Sequence, residues 1–284
     1  MAAESGIAYR SVAELAERSA FVRREIVRLG EIAGSAHYGS ALSSVEILVA
    51  LYYRVLRIDP SHPTWPKRDR FVFGKGHAAI ALYPILADLG FFDPSLLNSY
   101  TRLGSAFADH PDMTKIPGAD FNSGSLGHGL SVCVGMALGT RSFGFDSRVY
   151  CLLGDGEMNE GQVWEAAMSA AHFGLRNLVA IVDRNRYCLD GSTEDIMALE
   201  PIVEKWRSFG WSVVEVDGHD LAQLTGALDM PPSVGSGLPT AVIAHTEKGH
   251  GFSMMVNRCE WHLGALSDED RDRMLKETEE VRSR

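Results

Sequence analysis

Asp155 and Asn185 stand thirty residues apart, each just behind a short apolar run. Val149 to Leu153 leads into G-D-G-E at 154–157, and Leu178 to Val182 leads into D-R-N at 183–185. A carboxylate and an amide carbonyl are hard oxygen donors, suited to Mg²⁺ or Ca²⁺ and not to zinc, which takes Cys or His. Mg²⁺ uses one or two side-chain ligands and completes its octahedron with phosphate oxygens and water. A diphosphate is therefore the natural third party. Gly154 and Gly156 let the backbone approach phosphate closely. Helices predicted to begin near Glu160 and after Gly127 would turn their positive ends toward it. Either motif alone reads as a plain turn and a loop residue; their pairing at successive strand ends carries the information.

Histidines form the second group. His37 lies in A-H-Y-G-S at 36–40, His77 in G-K-G-H at 74–77 and His110 in H-P-D at 110–112. All three are predicted in loops containing Gly or Pro, not on apolar faces. His262, in R-C-E-W-H-L-G-A, has a less distinctive setting. Near neutral pH an imidazole can accept a proton, donate to a developing alkoxide and grip hydroxyls. His172 and His219 read as ordinary satisfied residues, and the roles of His128 and His250 stay open. The string G-S-L-G-H-G at 124–129 differs from G-x-G-x-x-G and follows no buried strand, so dinucleotide binding is not expected.

The elements that must position these groups are legible as short apolar runs alternating with helical periodicity. Strands are predicted at 70–73, 149–153, 178–182, 213–216 and 240–244. Helices are predicted at 11–29, 43–56 with Ser44 as cap, 78–89, 128–141, 160–173, 203–209 and 221–228. A long loop is expected over 104–124 and a charged helical tail over about 267–284. Buried apolar strands alternating with helices imply an α/β fold: a doubly wound, mostly parallel sheet with helices on both faces, here as one domain over 1–284. Such sheets bind ligands beyond the carboxyl ends of their strands, at the switch point, where every polar cluster above falls.

Composition limits the alternatives. The chain has 284 residues, 45% hydrophobic and 23% charged, with a net charge of −10 spread along its length. That excludes the basic stripe of a nucleic-acid surface. No apolar run approaches the ~18 residues of a membrane span, and Met1 to Arg10 holds no secretory apolar segment. The scattered cysteines Cys133, Cys151, Cys188 and Cys259 read as free, mostly buried thiols in a reducing, cytoplasmic setting.

In order and rough spacing, the segments A-H-Y-G-S, G-K-G-H-A, H-P-D, G-S-L-G-H-G, G-D-G-E-M-N-E-G, D-R-N and K-G-H-G at 248–251 resemble the N-terminal part of transketolases over nearly the whole chain. The resemblance implies thiamine diphosphate and Mg²⁺ as cofactors and transfer of a two-carbon ketol unit. It implies Asp155, Asn185 and the carbonyl of Tyr187 as metal ligands. Gly124, Ser125, Leu126, Gly156, Glu157 and Asn185 fall on the cofactor side. His77 corresponds to a cofactor contact near the thiazolium, His37 and His262 to histidines touching both substrate and reacting centre, and His110 to the one binding donor hydroxyls. Glu160 and Glu165 correspond to dimer-interface carboxylates. Ala36 replaces the usual Gly, Ser125 and His128 replace the Pro and Gln of G-P-L-G-Q-G, H-P-D replaces H-P-E, and His262 lacks the usual following pattern. These departures bear on the substrate more than on the chemistry.

Transketolases carry a second domain that holds the aminopyrimidine and its glutamate, and nothing after Arg284 corresponds to it. The chain is therefore expected to be the N-terminal subunit of a split transketolase. Its expected partner is a C-terminal pyrimidine-domain subunit, in an α2β2 assembly that works on sugars or sugar phosphates. The α subunit of a 2-oxoacid dehydrogenase shares the G-D-G to Asn motif, but the loops at 37, 77 and 110 favour transketolase. A deoxyxylulose-type synthase is normally one continuous chain. A non-catalytic homologue would be expected to lose Asp155, Asn185 or the loop histidines, all of which are present.

Overall fold

A computed structural model describes residues 10–229 and 237–282. Part of the N-terminal stretch read for a secretory signal, and residues 283–284 of the expected tail, lie outside them. Five strands form one sheet: β1 (Arg70–Phe73), β2 (Val149–Gly154), β3 (Leu178–Arg184), β4 (Ser212–Asp217) and β5 (Thr240–His245). All neighbours are parallel, in the order β1-β2-β3-β5-β4. β2 and β3 are buried along their whole length, which explains their unbroken apolar runs. β4, at the edge, is only half-buried.

The sheet divides two cores. On one face lie α1 (Val12–Ala33), α2 (Tyr38–Ser43), α3 (Val45–Ala50) and α9 (Leu221–Asp229), with Phe252, Met255 and Met274. On the other lie α5 (His128–Ser142), α6 (Gly161–His172) and α8 (Ile202–Ser208), closed by Trp206 and Trp211. The helices that lead into β2, β3 and β4, namely α5, α6 and α8, share a face because those strands advance across the sheet. The return from β4 to β5 reverses direction, and right-handed crossover then puts α9 on the opposite face. The doubly wound expectation holds.

Local chemistry explains several boundaries. Ser11 and Glu14 form a reciprocal capping box at the start of α1, and Gly34, at φ 80°, ends the helix. The helix predicted over 43–56 is different in fact. The chain is already helical from Tyr38, breaks at Ser44, and finishes α3 with a π turn over Leu51–Val55. Ser44 does not cap: its backbone is helical and its hydroxyl donates to the Ser40 carbonyl at 2.8 Å. Burial of all six residues of α2 overrides the turn propensity of Y-G-S. Gly39 is required by close approach, since a Cβ there would come 2.9 Å from Lys248 Cε. Likewise the segment after β1 opens as a 3₁₀ turn, Gly76–Ala81, before α4 (Leu82–Asp88), so His77 sits on a helical turn and not in a loop.

The stretch over 104–124 has no helix or strand, as expected, but it is tied down. Asp120 pairs with Arg68 and accepts the Phe71 N–H at 2.9 Å, and Tyr83 donates to the Ala108 carbonyl at 2.8 Å. A short helix α7 (Thr193–Ile196), which the sequence did not suggest, interrupts the chain after β3. The charged tail forms α10 (Asp268–Arg282) and packs on α1. Among the described residues no helix is long and apolar enough to cross a membrane.

Candidate functional site

Beyond their carboxyl ends, β3 and β5 send the chain to opposite faces, β3 toward α8 and β5 toward α1. The crevice between them is the switch point of this sheet. Register brings its walls together: Gly154 pairs with Asp183, and Arg184 with His245, so Asp155, Asn185 and Thr246 emerge side by side.

Asp155 is 1% exposed. Its Oδ1 accepts the Gly156 N–H at 2.8 Å, while Oδ2 accepts from Arg184 Nη1 at 3.1 Å and from the Arg186 N–H at 2.5 Å. Oδ2 is thereby saturated and Oδ1 keeps a lone pair. Burial, joined by the charge of Asp183, pushes the carboxyl of Asp155 up to about 6 against the pull of Arg184. A carboxylate held in that condition gains from a cation. Asn185 is buried too; its Oδ1 accepts the Tyr187 N–H at 3.0 Å, and its Nδ2 donates to Ser43 Oγ and Asp183 Oδ2, both at 3.3 Å. Those bonds turn the amide oxygen toward the same turn that presents Tyr187.

Two buried lysines complete the electrostatics. Lys75 pairs with Asp183 at the bottom of the crevice and donates to the Ser40 carbonyl at 2.9 Å. Asp183 also accepts from Ser43 at 2.6 Å and from Thr246. This pair is internally satisfied. Lys248 is not: fully buried, it donates to the Cys188 carbonyl at 2.7 Å and stands 3.2 Å from His262 Nδ1, with no carboxylate in contact among the described residues. Burial lowers it to about 8; Asp155 opposes the shift and Lys75 adds to it. A buried cation facing a crevice without a counter-ion, beside two hard oxygen donors, fits a metal-bound diphosphate.

The histidines converge from distant segments. His37 precedes α2, His77 lies on the 3₁₀ turn after β1, and His262 ends a turn over Cys259–His262. Their ring centroids lie 5.1, 5.2 and 5.5 Å apart. Burial, with Lys75 next, pushes His77 down to about 2; burial and Lys248 push His262 down to about 4. Both are neutral at pH 7, each with one donor and one acceptor nitrogen. His110 stands at the rim with 42% of its side chain exposed, beside Gly124, where a Cβ would come 3.3 Å from the ring. The other histidines lie elsewhere. His219 bonds Glu46 at 3.0 Å and accepts the Glu247 N–H at 2.9 Å, with His250 stacked on it at 3.4 Å. His128 and His172 are not in the cluster.

Gly124, Ser125 and Leu126 form an exposed lip. Glu157 secures it from below: Oε1 accepts the Gly127 N–H at 2.9 Å and Oε2 the Gly154 N–H at 3.0 Å. Both oxygens of Glu157 thus serve the backbone. Glu160 and Glu165 are exposed. Gly127 has φ 83° and no room for a side chain, since a Cβ would meet Glu160 Cβ at 2.6 Å. Gly127→Ala is therefore expected to cost about 2–3 kcal/mol from left-handed backbone and crowding, and to loosen the lip. Urea unfolding measures the first effect and thiamine diphosphate titration the second.

Sequence reading passed over Lys75, Lys248, Asp183 and Arg184. A signal was present for the lysines, because K-G-H occurs twice, at 75–77 and 248–250, each lysine flanked by glycine. Asp183 and Arg184 looked like strand-end decoration; only the fold buries them.

Comparison with known proteins agrees with this geometry. The family model described as "Transketolase, thiamine diphosphate binding domain" matches residues 22–279. A 6-deoxy-6-sulfo-D-fructose transketolase subunit from Clostridium sp. (strain MSTE9) is 42% identical over 236 residues, covering 83% of this chain and 86% of that one. An apulose-4-phosphate transketolase subunit from Phocaeicola vulgatus is 39% identical over 261 residues, 91% of each chain. A transketolase variant from Pichia stipitis superposes with a TM-score of 0.86 at 31% identity, covering 95% of this chain and 41% of its own. This chain thus spans less than half of that solved transketolase. With this crevice and these matches, the chain belongs to the transketolase family and carries its thiamine diphosphate binding domain.

Proposed function

We propose that this chain is the N-terminal subunit of a two-subunit transketolase, which moves a two-carbon ketol unit from a ketose to an aldose, as sugars or sugar phosphates. The observation that carries the reading is the junction of two sites: three histidine rings stand against a crevice that ends in Asp155, Asn185 and the uncompensated Lys248. In this reading Asp155, Asn185 and the Tyr187 carbonyl hold Mg²⁺. Gly124 to Leu126, Gly156 and Lys248 hold the diphosphate. Thiamine diphosphate, when bound, supplies the carbanion chemistry at the substrate carbonyl.

The chain's own part is proton handling and grip. His77 and His262, neutral because they are buried beside lysines, can each accept a proton from a donor hydroxyl or donate to an oxyanion. His37 shares that space, and His110 at the rim is exposed enough to meet the hydroxyls of a sugar.

The relatives named as subunits support a partner. The two relatives named as transketolase subunits are covered to 86% and 91% of their own length, while the Pichia stipitis transketolase extends well beyond the match. We expect a second chain carrying the pyrimidine-binding half, in an α2β2 assembly. Exposed Glu160 and Glu165 lie on the face we assign to subunit contact. The test is a ketol-transfer assay with thiamine diphosphate and Mg²⁺. The purified chain alone should give no turnover, and adding a protein homologous to the second half of full-length transketolases should restore it. Robust transfer by the chain alone would overturn the two-subunit reading.

A further inference from the structure

Asp109 lies on the long loop over 104–124, where that loop meets the histidine cluster, apart from the metal and diphosphate groups. Its Oδ2 lies 3.1 Å from His37 Nδ1 and 4.0 Å from His110 Nδ1, and its Oδ1 accepts from the Tyr100 hydroxyl at 3.3 Å. His37 Nδ1 is completely buried and makes no aligned hydrogen bond among the described residues, Asp109 included. The Asp109 carboxylate is the acceptor within reach. Distances of this kind are often imperfectly aligned in ligand-free sites and tighten with substrate. Burial works against ionisation of Asp109, but the contact with His37 and the charges of His37 and His110 hold it below the ordinary carboxylate value.

We propose that Asp109 is a positioning residue for His37: it fixes the tautomer with the proton on Nδ1, so that Nε2 presents its lone pair to the crevice. The proton on one ring nitrogen is set by the bond that nitrogen makes, and a carboxylate there also stabilises the imidazolium formed when the other nitrogen takes a proton. Other groups around His37 do not compete for Nδ1. His77 and His262 pack their rings against it, and His110 shares Asp109 from the rim. Lys75 and Lys248 lie behind His77 and His262, and Tyr83 and Tyr100 flank Asp109. Each offers a ring, a cation or a hydroxyl, not a second carboxylate. The tautomer stands on this geometry alone; its catalytic consequence rests on the transketolase reading above.

Two measurements separate them. The first uses the full chain with thiamine diphosphate and Mg²⁺, labelled with ¹⁵N-histidine and with His37 assigned by the signal lost in His37→Asn. Nitrogen shifts should report Nδ1–H in the parent chain and a shift toward Nε2–H in Asp109→Ala. Nε2–H in the parent, or no change in Asp109→Ala, would overturn the proposal whatever reaction the protein runs. The second uses the two-chain complex. Asp109→Ala should lower kcat/KM by about 10- to 100-fold. Asp109→Asn removes the charge that favours protonated His37, so the acid limb of kcat/KM should move to lower pH by about one unit. Asp109→Glu should restore most of the parent profile. An activity loss with an unmoved acid limb would mean that Asp109 merely holds its loop, and would overturn its action through His37.

Discussion

Asp155→Ala is expected to lower Mg²⁺-dependent affinity for thiamine diphosphate by about a thousandfold or more, equivalent to about 4 kcal/mol, while the chain stays folded. The affinity loss is large because the carboxyl is the charged member of the ligand pair, held in place by three donors that leave Oδ1 one lone pair for metal. The stability loss is smaller than burial would suggest. Arg184 loses a partner at 3.1 Å but keeps Glu194 at 2.7 Å and Glu200 at 2.9 Å, so no cation is stranded. The remaining cost is two backbone N–H groups short of an acceptor, about 1–3 kcal/mol for each. Calorimetric titration with and without Mg²⁺, beside a thermal melt, measures both. Normal cofactor binding by this variant would refute the ligand assignment.

Lys248→Met should separate stability from binding, with opposite signs. In the ligand-free chain the Lys248 ammonium is held at about 8, below its ordinary value of 10.5. A depressed lysine means that the folded chain binds fewer protons than the unfolded chain between those two values. The charge therefore penalises folding fully below pH 8, and the penalty fades as pH rises from 8 toward 10.5. Methionine of similar shape removes the penalty and should stabilise the ligand-free chain at pH 7 by about 1–3 kcal/mol. The same change should weaken thiamine diphosphate binding by about a hundredfold, the loss of one buried charge-assisted contact. Because diphosphate restores the lysine's basicity, binding takes up a proton above pH 8. Affinity should fall above that pH in the parent chain and lose this slope in Lys248→Met. A destabilised variant with unchanged affinity would remove Lys248 from the diphosphate site.

Gly39 belongs to the same arrangement, since its missing side chain is what admits the lysine stem beneath α2. Here sequence and structure part. The turn propensity of Y-G-S points to a loop, and only the packing of α2 on Lys248 and the first core makes it helix. His77 moves from an expected loop to a 3₁₀ turn for a related reason: G-K-G-H looks like a loop until Ala78 to Ala81 are seen fully buried. Ser44 fails as a cap because the helix it was to open is already under way.

What the amino-acid order determined by itself is the set of strands and what stands at their ends. A parallel strand buried on both faces must be a continuous apolar run, so 149–153 and 178–182 announce themselves, and the polar residue that follows each must face the carboxyl edge. Asp155 and Asn185 needed nothing more. The tertiary structure decided which distant segments share that edge. Insertion of β5 between β3 and β4 brings Thr246 to Asp183, Lys248 to the Cys188 carbonyl and His262 to His37 and His77. Local periodicity records whether a strand is buried, but not beside which strand it lies. Strand order is chosen by how two helical layers close over two cores, a property of the whole chain.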